Sequence, residues 1–195
     1  MSWPLTPPVL MMVTPLGPKL AERVAAACAG GVGQVQLRDK AARRDDLRAA
    51  ARELAALAPL VINGEAELAG ELGVGVHWPE GAWRVASVSL QGCSVHSVDA
   101  ARAAVDWGAD YLVAGTVFAS ASHPGEPAAG LAFLAQVCAA VRVPVLAIGG
   151  VTPANLADCL RAGAAGVAVL SPLQGADPRA VAAAYVAALR GGGQA

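Results

Sequence analysis

The sequence predicts an α/β protein folded as one (β/α)8 TIM barrel spanning residues 1–195. Short apolar runs alternate with longer Ala- and Leu-rich, charge-dotted segments from end to end, and eight such runs can be counted. Strict alternation of strand and helix implies right-handed parallel βαβ units, and eight units fit a closed barrel. A doubly wound open sheet is the alternative architecture. The chain shows no linker, charge block or low-complexity segment, so one domain is expected. Its 195 residues can bury a substantial core but are few for this fold, typically about 250 residues, so the loops must be lean.

Val9–Val13 reads as the first strand, followed by a helix over Pro18–Ala29 that opens on proline and closes at Gly30-Gly31. Gly33–Leu37 is the second strand; Asp45–Leu57 is a helix with acidic residues in its first turn, where the helix dipole favours them. Leu60–Ile62, the helix Ala66–Leu72 and the strand Val74–His77 follow. Pro79–Arg84 is too short and interrupted for a helix, and the fifth strand falls within Val85–Val95, where Gly92 obscures its boundary. Val98–Trp107 is an amphipathic helix ending at Gly108, and Tyr111–Ala114 is the sixth strand. Leu131–Val141, Val143–Ile148, Pro153–Ala162 (with Thr152 as N-cap), Gly166–Leu170 and Pro178–Leu189 complete the alternation.

Composition excludes several classes of function. Hydrophobic residues make up 55% of the chain, yet no uninterrupted apolar run approaches the roughly 18–20 residues of a membrane span. A formal net charge of -1 gives no pull toward nucleic acid or anionic membrane, and 4% aromatics leaves few stacking platforms. Cys28, Cys93, Cys138 and Cys159 are far apart without C-x-x-C spacing, which favours buried thiols over disulfides or zinc. The stretch MSWPLTPPVLMMVTP lacks the form of a signal peptide, so a cytoplasmic protein is expected. Oligomeric state is left open, a homodimer included.

In such barrels chemistry sits on the loops after the strands. Gln36, Arg38 and Lys40 alternate at period two after strand two, as an anion clamp would; a solvated strand end with a salt bridge to Asp39 reads equally well. Gly149-Gly150 after strand seven, with Leu170-Ser171 after strand eight, has the form of a phosphate cradle built from backbone N–H groups and a helix N-terminus. The loop Gly115–Gly130 is the longest and contains Thr116, Ser120, Ser122, His123 and Gly130; it is either a ligand-covering loop or a surface excursion. His77, His96 and His123 are dispersed, without metal-site spacing, so no metal site is expected from them.

The runs Val35–Lys40, Ser94–Ser97, Gly108–Tyr111, Ala147–Thr152 with Asn155, and Gly166–Ser171 occur together and in order. In this the chain resembles the thiamine phosphate synthase/TenI superfamily from about residue 9 to residue 190. The resemblance implies a phosphorylated thiazole held over the loops after strands seven and eight, at Gly149, Gly150, Leu170 and Ser171. The synthase branch joins a pyrimidine pyrophosphate to a thiazole phosphate, using magnesium; the TenI branch shifts a proton to aromatise a thiazole phosphate carboxylate.

Where synthases have Asn-Asp after strand three and a carboxylate after strand four, this chain has Asn63-Gly64 and His77-Trp78-Pro79-Glu80. It also lacks a Thr-x-Thr-Lys run after strand six, having Ser120-Ala121-Ser122-His123. These departures favour the tautomerase, without cofactor, over the synthase, for which magnesium would be required. The expected catalytic residues are His123, Thr116 and Lys40. Gln36, Arg38, Lys40, Asn63, Ser94, Ser120, Ser122 and Gly130 join the cradle as substrate contacts. A third reading is a barrel that binds thiazole phosphate without turning it over.

Overall fold

In the computed structural model, residues 7–84, 86–120 and 127–192 are described. Eight parallel strands close on themselves in chain order: β1 Val9–Thr14, β2 Gln34–Leu37, β3 Leu60–Asn63, β4 Gly75–Trp78, β5 Gln91–Val95, β6 Tyr111–Ala114, β7 Val145–Ile148 and β8 Gly166–Val169. β8 pairs with β1 (Val9 beside Gly166, Met12 beside Val169), so no sheet edge remains. The barrel reading holds and the open sheet does not.

Among the described residues the outer ring has seven helices: α1 Leu20–Ala29, α2 Arg44–Ala55, α3 Ala66–Leu72, α4 Val98–Asp106, α5 Gly130–Ala140, α6 Leu156–Arg161 and α7 Pro178–Gly192. As the sequence implied, no helix joins β4 to β5 among the described residues. Two helix starts differ from expectation by more than one residue. α1 begins after Lys19 rather than at Pro18, because Lys19 sits in the left-handed region (φ 53, ψ 34), outside the helical basin. α6 begins at Leu156 rather than at Pro153, and Thr152 does not cap it with its side chain; a turn in which the Asn155 and Leu156 N–H groups reach the Thr152 carbonyl comes first. No helix of the described residues is long and apolar enough to cross a membrane.

Alternation along the strands divides the core into two clusters. Leu10, Met12, Val35, Leu37, Ile62, Val76 and Leu112 face the helices. Val9, Met11, Val13, Val61, Leu90, Tyr111, Val113, Leu146 and Ala168 fill the barrel interior. Towards the strand C-termini this interior changes character. Gln36, Asn63, His77 and Ser94, on the same inward phase of β2 to β5, form a polar half-layer above the apolar plug.

Candidate active site

The polar half-layer is internally bonded. Gln36 is buried, and its Nε2 donates to Asn63 Oδ1 at 3.2 Å. His77, 1% exposed, lies between Tyr111 Oη, 3.0 Å from its Nδ1, and Ser94 Oγ, 2.9 Å from its Nε2. Burial, with the nearby Arg38 charge second, pushes the His77 pKa down to about 3. The imidazole is therefore neutral at neutral pH and cannot take up a proton there. That makes His77 a weak base at neutral pH.

Arg38 is half-buried just past β2, where its own N–H donates to the Thr14 carbonyl at 2.9 Å. The anticipated salt bridge to Asp39 does not form; Asp39 Oδ1 instead accepts the Ala41 N–H at 3.0 Å. Among the described residues no side chain pairs with the Arg38 guanidinium. A half-buried cation without a counter-charge is chemically suited to meet an anion. Lys40 is not brought beside it in the expected manner: β2 ends at Leu37, the period-two alternation stops, and Lys40 stands exposed in a bend.

Across the mouth, the 148–151 backbone is held from behind at four consecutive carbonyls. Ile148 O accepts Val117 N–H (2.9 Å) and Gly149 O accepts Phe118 N–H (3.0 Å). Gly150 O accepts Asn155 Nδ2 (3.1 Å), and Val151 O accepts the buried Tyr185 hydroxyl (2.7 Å). In a trans peptide each engaged carbonyl turns the following N–H the opposite way. Among the described residues no acceptor meets the N–H of Gly150 or Val151. Two adjacent free donors are what a phosphate group bonds. Both glycines are required: φ is 95° at Gly149 and 61° at Gly150, and a Cβ would lie 2.3 Å from Thr116 Cγ2 or 2.4 Å from Ala119 O respectively. The cradle rests on this backbone rather than on a helix dipole, since α6 has only six residues.

The remaining candidates divide. Leu170 and Ser171 sit where β8 passes into a 3₁₀ turn, Ser171–Gln174, and the Leu170 carbonyl accepts Leu173 N–H at 3.1 Å. Gln174 Nε2 donates to Val13 O at 3.2 Å, clamping this turn to the end of β1. Thr116 is half-buried against Gly149, with its carbonyl accepting Ala129 N–H at 2.8 Å. Gly130 directs its N–H to Val117 O at 3.0 Å, so it closes the loop instead of offering that N–H to a ligand. Ser120 is half-buried on the same loop; Ser122 and His123 lie outside the described residues.

His96, which the sequence left as an isolated histidine, is exposed and bonded through Nδ1 to Glu80 Oε2. That contact bears on magnesium, which prefers carboxylate and phosphate oxygens. Asn63 Oδ1 is bonded to Gln36, Glu80 is bonded to His96, and position 64 is glycine. No group of three His, Cys, Asp or Glu among the described residues is arranged to hold a metal. The residues present do not fit a resident magnesium site.

A cleft of about 600 Å³ opens at the other end of the barrel, walled by Gln34, Ala58, Leu60, Val74, Ser89 and Leu90. It lies at the strand N-termini, away from the polar layer and the cradle, and barrel enzymes carry their chemistry at the opposite face.

The family model "Thiamine monophosphate synthase" (TMP-TENI) matches residues 10–173. The chain belongs to this family. A thiamine-phosphate synthase of Thiobacillus denitrificans is 41% identical over 174 residues, 82% of each chain. One from Methanoculleus marisnigri is 43% identical over 163 residues, 76% of this chain and 77% of its own. The structure of a thiamine phosphate pyrophosphorylase from Pyrococcus furiosus superposes with a TM-score of 0.83 at 28% identity, covering 94% of this chain and 96% of that one. The family membership drawn from the sequence motifs is therefore correct, and the chain is a thiamine-biosynthesis barrel. These relatives are named as synthases, and so support the synthase alternative better than the tautomerase branch.

Proposed function

We propose that this barrel is a thiamine-phosphate synthase, joining a pyrimidine pyrophosphate to a thiazole phosphate. One observation carries the choice: the mouth combines two separate anion seats with an imidazole that stays neutral. Among the described residues, Arg38 is an unpaired cation beside β2, and the Gly150 and Val151 N–H groups are unpaired donors after β7.

In the joining reaction a bond forms between thiazole and pyrimidine parts as the bond to the pyrophosphate oxygen breaks. The electron pair of that bond leaves with pyrophosphate. Such a step asks for alignment of the partners and for stabilisation of negative charge, and both can come from fixed donors. A tautomerase instead needs a group that gains and loses a proton near neutral pH. His77 is unsuited to that role, and Thr116, at the end of β6, is a poor base.

In this reading the Gly149–Val151 backbone and the Leu170–Ser171 turn hold the thiazole phosphate. Arg38 faces the pyrophosphate, with Lys40 available from the exposed bend. Gln36, Asn63 and Ser94 orient the pyrimidine from the polar half-layer.

The test is direct. Purified protein with both substrates, assayed with and without magnesium, is expected to yield thiamin phosphate and pyrophosphate in equal amounts. Failure to form product in either condition, while deuterium from solvent washes into the thiazole carboxylate precursor, would restore the tautomerase. Thiazole phosphate binding with neither reaction would make the protein a binder.

A further inference from the structure

We propose that Thr14, at the end of β1, and Gln174, at the end of the turn after β8, are positioning residues that set the distance between the two anion seats. The inference deepens the synthase reading and rests on it for the identity of the two anions.

β1 stands between the seats. On one side it pairs with β2, Thr14 beside Leu37, and the Thr14 carbonyl accepts the Arg38 N–H at 2.9 Å. On the other side it pairs with β8, and that register ends at Met12 beside Val169. Leu170 then leaves the strand (φ -111, ψ -81) and enters the 3₁₀ turn that forms the β8 part of the phosphate seat. Beyond Val169 a side chain continues the tie between the two strands.

A primary amide offers two N–H donors and one carbonyl oxygen. Gln174 Nε2 lies 3.2 Å from Val13 O and 3.4 Å from Leu170 O, so its donors bridge the ends of β1 and β8. This leaves Oε1 to accept the Thr14 hydroxyl, which stands 3.4 Å away and is shared with Pro15 O at 3.1 Å. Glutamate at position 174 would lack the donors, and lysine would lack the acceptor. Thr14 is 0% exposed, so water does not compete for its hydroxyl.

Thr14 therefore meets both seats, holding the Arg38 backbone through its carbonyl and the Leu170–Ser171 turn through its hydroxyl and Gln174. When two bound molecules react, their seats must have the right separation as well as affinity. A misplacement of about 1 Å can cost roughly 100-fold in rate. Each seat keeps its own donors without this clamp: the 148–151 backbone is held by Val117, Phe118, Asn155 and Tyr185, and Arg38 carries its own charge. Losing the clamp thus disturbs alignment more than binding.

The experiment separates kcat from the KM of each substrate. Thr14→Val, which keeps the shape and deletes the hydroxyl, and Gln174→Met are each expected to lower kcat roughly tenfold, with both KM values within about threefold of wild type. Thr14→Ser, which keeps the hydroxyl, should recover most of the kcat lost in Thr14→Val. The double variant should lose about as much as Gln174→Met alone, because the Thr14 contact acts through Gln174.

Unchanged kcat in folded Thr14→Val or Gln174→Met, a loss confined to KM, or losses that multiply in the double variant would each overturn the inference. Should the buried Thr14→Val fail to fold, Gln174→Met, at a half-buried position, decides by the same split between kcat and KM. A wild type that makes no thiamin phosphate overturns the synthase reading and this inference together. Product formation with the variants at wild-type kcat overturns this inference alone.

Discussion

Asn155 donates from Nδ2 to the Gly150 carbonyl at 3.1 Å, and its Oδ1 accepts the Thr152 N–H at 2.8 Å. One carboxamide thus fixes the peptide before Val151 and the turn before α6, leaving the Val151 N–H directed away from Asn155. The Asn155 side chain, spent on the backbone, thereby orients the Val151 N–H.

Asn155→Ala should weaken affinity for inorganic phosphate and thiazole phosphate about fivefold to tenfold, by freeing the Gly150–Val151 peptide to rotate. The accompanying loss of folding stability should be about 1 kcal/mol, the net worth of one such hydrogen bond. Calorimetric titration and urea unfolding read the two effects separately. Unchanged phosphate affinity would remove Asn155 from the cradle.

Gly150→Ala should affect the cradle more severely. The new methyl meets Ala119 O at 2.4 Å and Phe118 Cβ at 2.8 Å, at a φ of 61° that disfavours side chains. Phosphate affinity should fall more than roughly tenfold, with about 1–3 kcal/mol lost in stability. Wild-type affinity in a folded Gly150→Ala protein would argue against a phosphate seat there.

Arg38→Gln should raise KM for the pyrimidine pyrophosphate roughly tenfold or more while leaving thiazole phosphate affinity near wild type. The same change removes the Arg38 charge that helps depress His77, so the His77 pKa should rise, yet stay low because burial is the larger cause. Steady-state kinetics with each substrate varied in turn, and NMR titration of His77, check the two parts.

His77 also predicts how stability varies with pH. Its folded pKa, about 3, lies below the ordinary 6.5, so between these values the unfolded chain binds the extra proton. The contribution is fully present above pH 6.5 and lost as pH falls, by about 1.4 kcal/mol per pH unit. Lowering pH from 6.5 to 5 should therefore cost about 2 kcal/mol from this group alone. Urea unfolding of wild type and His77→Gln across that range isolates it; parallel pH profiles would contradict the assignment.

Position 64 offers a gain of function. Gly64 has φ 72°, a region aspartate tolerates better than most residues, and nothing lies within 4 Å of its would-be Cβ. Magnesium alone should show no saturable binding to the wild type. Gly64→Asp should bind it measurably and without loss of fold, as followed by calorimetry and circular dichroism. Tight binding of magnesium by the unaltered chain would show that the oxygen ligands around Asn63 and Glu80 suffice.

The fold was legible because its signal is local. Eight apolar runs punctuated by glycine and proline mark strands buried on both faces, and the longer helices declare themselves by amphipathic spacing. The boundaries that moved did so for backbone reasons: the left-handed Lys19 delayed α1, and the 152–155 turn shortened α6. The cradle was half-visible, since Gly149-Gly150 at a strand end implies close approach. The donors behind it, Val117, Phe118, Asn155 and Tyr185, were not visible as such, because nothing in their spacing announces where they point.

By itself, the sequence determined the barrel and the family, and it directed the search for a phosphate seat to the loops after β7 and β8. These follow from periodicity and from short contiguous motifs, each set within a few residues. Tertiary structure alone decided the electrostatics of the mouth. Among the described residues it left Arg38 without a counter-ion, lodged His77 between Tyr111 and Ser94, and tied Glu80 to His96. Those partners are 16 to 34 residues apart in the chain. Burial and pairing across a closed barrel are properties of neighbouring strands, and no single stretch of sequence carries them.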